Sequence, residues 1–275
     1  MTQTPTPIIG LQFDRSPLST QPIFRRFLMD LPREMTPVPD PTDPVVALAR
    51  RSWEDRTRAE YLGVLIVHHF HGLLVDLNAP ADLQELALVM LLQEQRHAAA
   101  CNHAAITLGG TGEVGFEPQE LLLVRTNEPL ETQVWRMVLG TYCCGEVTAL
   151  ALIHHSIRAL PKSPYRDILK RIAKDEVLHA AIGPQLVATY RAHRGPSWLP
   201  YPGDAAVRKI VMETQETMRA RAVVEPDELA AFDDPDTAAK LKLLGVPDSK
   251  GFLEAYHRGI NHAVPKTLAR VGLVI

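Results

Sequence analysis

Two Glu-x-x-His motifs, EQRH at residues 94–97 and EVLH at residues 176–179, decide the fold of this chain. Each motif lies in a stretch whose apolar residues recur with helical periodicity, which indicates an amphipathic helix. The three-residue spacing places the carboxylate and the imidazole of each motif on one face of its helix. Carboxylate and imidazole groups held together in this way are suited to bind a metal ion.

Each motif is preceded by a lone glutamate in an earlier helical segment. Glu60 lies 34 residues before Glu94, and Glu146 lies 30 residues before Glu176. A Pro-containing turn separates the two members of each pair. Counted from that turn, both members lie at similar depths, roughly 20 Å along their helices at ~1.5 Å per residue. The spacing therefore predicts that each lone glutamate faces its motif across an antiparallel helix pair.

The doubled set resembles the ligands of the ferritin-like di-iron carboxylate superfamily, in which two helices give one Glu each and two give Glu-x-x-His. It is similar to the oxygenase branch, which includes p-aminobenzoate N-oxygenase and bacterial multicomponent di-iron oxygenases. The resemblance implies an all-α fold: a ferritin-like four-helix bundle with a long crossover plus extra C-terminal helices. It also implies six metal ligands, which are Glu60, Glu94, His97, Glu146, Glu176 and His179.

The ligand types bear on the choice of metal. Carboxylate oxygens and imidazoles suit iron or manganese better than soft thiolate ligation does. We expect two Fe ions, with an Fe/Mn or Mn/Mn pair also open, and O₂ as co-substrate. Four glutamates roughly balance two divalent ions, and Glu94 and Glu176 are the expected bridges. A third motif at residues 254–257 has no matching upstream glutamate, so we expect it at the surface.

Four further residues are candidates for the site. Many di-iron oxygenases carry an Asp directly before the second motif, and by that resemblance Asp175 holds His97. Cys101 lies one turn after His97, at a position similar to that of the radical tyrosine in ribonucleotide reductases, so a cysteine there disfavours the reductase role. Tyr142 and Cys143 face the same pocket by helical spacing, one turn before a lone glutamate. Plain core packing is the alternative for these last three side chains.

Proline, glycine and capping residues divide the chain into three predicted parts. These are a Pro-rich N-terminal arm at 1–43, the di-metal four-helix bundle at 44–194 and a C-terminal helical appendage at 195–275. The arm holds eight of the 22 prolines, and an ordered arm and a floppy tail are both open. The third bundle helix is expected as one run that begins near residue 127 and ends before Pro161. The appendage is expected to form shorter helices at about 204–223, 227–244 and 249–263.

Charge and hydropathy exclude several classes of function. A net charge of −3 gives no indication of nucleic-acid binding. No apolar run reaches the ~18–20 residues that cross a bilayer, and the N-terminus lacks a signal pattern. We therefore expect no membrane association and a cytoplasmic protein. Three sparse cysteines indicate reduced thiols rather than disulfides.

The combined features predict a non-haem di-iron oxidoreductase of monooxygenase type. It would hydroxylate, N-oxygenate or desaturate a small organic substrate, and analogy suggests secondary metabolism. The chain has no ferredoxin cysteines or flavin motif, so we expect a separate electron donor, and we expect a homodimer. The main alternative is ferritin- or rubrerythrin-like iron oxidation or peroxide detoxification; dimanganese catalase-like chemistry and a metal-free interaction module are others. Five more histidines are expected at helix ends or interfaces, with a second metal site as the alternative: His68, His69, His71, His154 and His155.

Overall fold

The computed structural model describes residues 9–12, 17–25, 35, 37–38, 40–116, 126–193, 195, 197–222 and 229–275. Across these residues the chain is mostly helical, as predicted. The elements in chain order are β1 (Ile9–Gln12), a 3-10 turn (Pro17–Thr20), α1 (Pro22–Arg25), α2 (Pro44–Asp76), α3 (Ala81–Thr107), β2 (Glu113–Phe116), α4 (Leu130–Met137), the π-helix π1 (Val138–Gly145), α5 (Glu146–Ala159), α6 (Pro164–Ala192), α7 (Asp204–Ala220), α8 (Pro235–Leu243), α9 (Ser249–Arg258), the π-helix π2 (Gly259–Ala263) and α10 (Val264–Arg270).

The chain divides into two compact units. The first unit contains Met1–Ile66 and Leu91–Val124, and the second contains Val67–Met90 and Arg125–Ile275. Helices α2 and α3 each contribute residues to both units. The three-part division made from the sequence stays a prediction.

The first two long helices, α2 and α3, are separated by the Pro-containing turn that the sequence predicts. Proline occupies the first position of α2, and the Asp43 carboxylate accepts a hydrogen bond from the Val45 amide at 2.8 Å. This capping satisfies one of the amides that a helix start leaves without an intrahelical partner. Asn78, in the turn before α3, has a φ of 50°, a conformation that asparagine tolerates better than most residues.

A short antiparallel ribbon in the first unit was not predicted. Strand β1 of the N-terminal arm pairs with β2, which follows α3, so part of the arm is ordered. Val114 and Phe116 are buried, and the Arg58 side chain lies over the Phe116 ring and donates to the Gly115 carbonyl. A four-residue strand shows too few alternations to be recognised in sequence. The rest of the predicted crossover, at 117–125, and most of the arm lie outside the described residues.

The predicted third helix is one continuous run, but its middle is a π-helix. Between α4 and α5 the backbone widens over π1, where α6 approaches closely. A Cβ added at Gly183 of α6 would lie 2.7 Å from the Tyr142 Cβ and 2.9 Å from the Cys143 amide nitrogen. The helical period of the sequence continues through this region, so periodicity alone did not predict the widened turn.

In the second unit, α5 and α6 form a helical hairpin. Ser163 caps α6 by accepting from the Arg166 amide, and the Arg166 side chain donates to the Ile157 carbonyl at 2.7 Å. Pro184 lies inside α6, which continues through it to Ala192. Ser163 is thus the N-cap of α6, and Pro164 occupies its first position.

The C-terminal helices pack on π1 and α5. Gln215 of α7 donates to the Ile260 carbonyl at 2.7 Å, and Gly259 of π2 lies against Thr148 of α5. The predicted helix at 227–244 is interrupted: residues 229–230 are helical, a turn follows, and Asp234 then caps α8, which Pro235 begins; residues 223–228 lie outside the described part. The predicted helix at 249–263 is α9 followed by π2, and α10 continues it beyond the expected end.

A polar network joins α6 to the start of α7. Both nitrogens of the Arg191 guanidinium fork donate to Asp204 at 2.9 Å, and Tyr201 donates to the same carboxylate at 2.8 Å. The hydrogen bonds from Arg191 are the main cause that lowers the pKa of Asp204 from its ordinary 3.8 to about 2.

We expect Asp204→Asn to lower the melting temperature at pH 7, and the loss to shrink in acid. A carboxyl whose pKa is lowered in the folded state stabilises the protein above its unfolded pKa. That stabilisation is lost as the pH falls from 3.8 through about 2. Melting temperatures of the wild type and the variant should therefore converge over this range, measured by circular dichroism from pH 7 to pH 2. A difference that stays constant over this range would contradict the assignment.

One helical run is more apolar than the length of its uninterrupted apolar stretches predicted. Leu130–Ala159 contains an 18-residue window with a mean hydropathy of 1.4, and by length and composition it is apolar enough to cross a membrane. An average over a window tolerates scattered polar residues that interrupt an apolar run. Part of the window is buried inside the protein, and a core helix of a soluble protein passes the same test, so one such helix is weak evidence for a membrane span.

Candidate metal centre

Three predicted ligands come together in the first unit. Glu60 of α2, with Glu94 and His97 of α3, each offer a ligand atom within 4.8 Å of the others. The His97 Nδ1 lies 3.3 Å from a Glu60 carboxylate oxygen, and Glu94 and His97 are buried. This contact confirms that the lone glutamate and the motif lie at one level. We call these residues the first triad.

The backbone of α2 leaves room for the Glu94 carboxylate. Gly63 lies one turn after Glu60, and a Cβ at Gly63 would lie 2.6 Å from the Glu94 carboxylate carbon. Any larger residue would therefore displace this carboxylate from the triad. A space kept open for one acid group beside a second acid and an imidazole fits a bound cation, because such a cluster is costly to bury without one.

Three more predicted ligands come together in the second unit. Glu146 begins α5, and Glu176 and His179 lie one turn apart on α6; each offers a ligand atom within 4.8 Å of the others. The His179 Nδ1 lies 3.6 Å from a Glu176 carboxylate oxygen, and both side chains are almost fully buried. Both histidines thus turn Nδ1 toward carboxylates, the orientation in which one ion can be shared by nitrogen and oxygen ligands. We call these residues the second triad.

The third motif and the extra histidines have other surroundings. Glu254 is exposed and lies 3.9 Å from Arg258, as expected of a surface pair. Within the described ranges, the histidines of residues 68–71 and 154–155 belong to no group of three or more His, Cys, Asp or Glu side chains that could hold a metal ion. The alternative of a second metal site at these histidines therefore has no support in that part of the chain.

Cys101 lies beside the first triad and is fully buried. Burial is the main cause that raises the pKa of its thiol well above the usual range; the charges of Glu60 and Glu94 add to the rise, and Arg56 opposes it. The thiol is therefore neutral at pH 7. A neutral, buried sulfur next to carboxylates is suited to line a pocket, and the pocket role predicted for Cys101 stays a prediction.

The other candidates lie in the second unit. Tyr142 and Cys143 are fully buried in π1, and the Tyr142 ring packs against Phe70 with centroids 4.9 Å apart. Burial raises the pKa of the Cys143 thiol well above its usual range. Asp175 is partly buried on α6 next to the second motif, and its predicted contact with His97 stays a prediction.

Sequence reasoning missed Gly63 and Arg56. Both lie on the Glu60 face of α2, at helical spacings of three and four residues, so a search of that face for glycines and cations would have found them. The Arg56 guanidinium lies over the Trp53 ring, 5.2 Å from its centroid. Burial lowers the pKa of Arg56, and Cys101 and Glu60 act in the opposite direction.

Comparisons with known proteins add no assignment to this geometry. No model of a known protein family matches the chain, and neither a curated protein nor a solved structure does.

Proposed function

We propose that the chain is a non-haem di-iron oxidoreductase that uses O₂ to oxidise a small organic substrate. The observation that carries the proposal is the pair of triads, each with one lone glutamate and one Glu-x-x-His. The proposal includes a ferritin-like four-helix bundle, and each triad would hold one iron ion. Glu94 and His97 of the first triad, and Glu176 and His179 of the second, would each supply a carboxylate and an imidazole ligand.

The residues of the two triads fit this role in number and in type. Four carboxylates offset the charge of two divalent ions, and oxygen-rich sites with one imidazole per ion favour iron or manganese. Iron bound there would supply electrons for the reduction of O₂. The chain itself would hold the ligands in place and exclude water, because Glu94, His97, Glu176 and His179 are all buried.

Substrate oxidation is favoured over iron storage by the surroundings of the first triad. Storage requires a path for many ions, which acidic side chains usually line. Beside the first triad the chain instead places a neutral thiol, Cys101, and a cation, Arg56. A separate electron donor, a homodimer and a cytoplasmic location belong to the same proposal, and iron oxidation or peroxide removal remains the second candidate.

The test is iron binding and reaction with O₂. We expect about two Fe(II) ions per chain under anaerobic conditions, measured by elemental analysis after desalting. The Glu94→Gln/Glu176→Gln double variant should retain less than a tenth of that iron. Mixing the iron-loaded protein with O₂ should oxidise the bound iron without uptake of further iron. Absorption spectroscopy monitors this oxidation.

The third Glu-x-x-His supplies a matched control. Glu254→Gln/His257→Gln changes a Glu-x-x-His that lies outside both triads, with Glu254 exposed and His257 partly exposed, and should leave the bound iron unchanged. Iron that accumulates well beyond two ions per chain in air would favour storage over substrate oxidation. Equal iron in the wild type and the Glu94/Glu176 double variant would exclude the metal centre.

A further inference from the structure

Arg56 is a partly buried cation beside the first triad. It lies one turn before Glu60 on α2, and its guanidinium covers the face of the buried Trp53 ring. Among the residues that the structure describes, no hydrogen bond or ion pair to this guanidinium is present. The N–H donors of this guanidinium are therefore not used by any described residue, while its central carbon lies 5.2 Å from the Trp53 ring centroid.

The charges nearby do not neutralise Arg56 once metal is bound. Burial is the main cause that lowers the pKa of Arg56, and Cys101 and then Glu60 oppose it. Glu60 belongs to the first triad, where its charge would offset that of a metal ion, and the Cys101 thiol is neutral. A partly buried guanidinium without a carboxylate partner carries a desolvation cost, which an incoming anion would relieve.

We propose that Arg56 binds the carboxylate of a small organic acid and so positions that acid beside the first triad. This inference rests on the proposed function and gives it a substrate class. A planar guanidinium fork matches a planar carboxylate with two parallel N–H···O bonds. The apolar Trp53 ring and the Cys101 thiol suit the organic part of such an acid better than a strongly hydrated inorganic anion.

The experiment compares acids with their uncharged amides. Acetate, butyrate and benzoate are titrated calorimetrically into anaerobic, Fe(II)-loaded protein, each against acetamide, butyramide or benzamide. We expect at least one acid to bind more tightly than its amide. Arg56→Gln should weaken that acid by about 10- to 100-fold and leave the amide unchanged, since hydrogen bonds to charged groups are the strong ones.

Two further variants test whether the charge of Arg56, the shape of its guanidinium or its position on α2 determines the binding of the acid. Arg56→Lys keeps the charge without the fork and should bind the acid with intermediate affinity. Arg51→Gln removes an exposed cation from the same helix and should bind it as the wild type does. Iron content is measured for every variant, so a failure to load metal, which concerns the proposed function, is distinguished from a failure to bind acids.

Three results would overturn the inference. One is that no acid binds the iron-loaded wild type better than its amide. Another is that Arg56→Gln lowers the iron content but keeps the preference for the acid, which would make Arg56 a partner of the triad alone. The third is that inorganic phosphate binds more tightly than every acid and depends equally on Arg56.

Discussion

Gly63→Ala is expected to abolish tight metal binding while the protein still folds. A Cβ at this position would lie 2.6 Å from the Glu94 carboxylate carbon, which is the far end of a flexible side chain. Glu94 can therefore rotate away at little cost to folding, and alanine favours a helix over glycine by about 1 kcal/mol. The displaced carboxylate no longer faces Glu60 and His97. We expect the affinity for Fe(II) or Mn(II) to fall by about 100-fold.

The measurement combines metal titration with urea unfolding of the metal-free protein. Gly140→Ala is the matched control, because among the described residues a Cβ there would meet only the Thr214 side chain, at an ordinary 3.5 Å from Oγ1 and 3.9 Å from Cγ2. The control should bind metal like the wild type. Unchanged affinity in a folded Gly63→Ala protein would show that metal binding does not use Glu94 in the position seen here.

Of the substitutions predicted here, Gly183→Ala is expected to lower the stability of the folded protein the most. The added Cβ would lie within 3.0 Å of three atoms, which are the Tyr142 Cβ and the amide nitrogen and sulfur of Cys143. Unlike the Glu94 carboxylate, a backbone amide cannot rotate away, so α6 and π1 must separate. Overpacking of this kind costs about 1–3 kcal/mol, which corresponds to a decrease in melting temperature of roughly 2–10 °C for a chain of this size.

Thermal unfolding of the metal-free protein checks this prediction. The metal-free form removes any contribution of metal binding to the melting temperature. Gly140→Ala again serves as the control, because it adds the same methyl group in the neighbouring π1 without a contact closer than 3.5 Å. Equal melting temperatures for the two variants would mean that α6 and π1 do not pack as closely as they do here.

The sequence was sufficient to place the two triads because their spacing constrains them twice. Helical periodicity set the face of each motif, and the turns set the depth of each lone glutamate. Glu60 with His97, and Glu146 with Glu176, meet as these constraints require. Helix ends marked by proline and capping side chains, such as the start of α6, were predictable for the same reason.

The features that sequence did not reveal depend on contacts between distant segments. The pairing of β1 with β2 joins residues about 100 positions apart, and neither strand is long enough to show a pattern. The widening at π1 coincides with the close approach of Gly183, on another helix. Gly63 and Arg56 gain their importance only from Glu94, Trp53 and Cys101, which fold against them.

The π-helix π1 also sets the rotational phase between the two ends of its helical run. Trp135, before it, is held by a hydrogen bond to the Pro200 carbonyl at 2.8 Å, and Glu146, after it, belongs to the second triad. A π turn contains about one residue more than an α turn, and one residue corresponds to about 100° around a helix axis. Loss of a single residue from π1 would therefore turn Glu146 away from its partners or pull Trp135 from its anchor. The length of this segment, more than its side chains, keeps the two ends facing their separate partners.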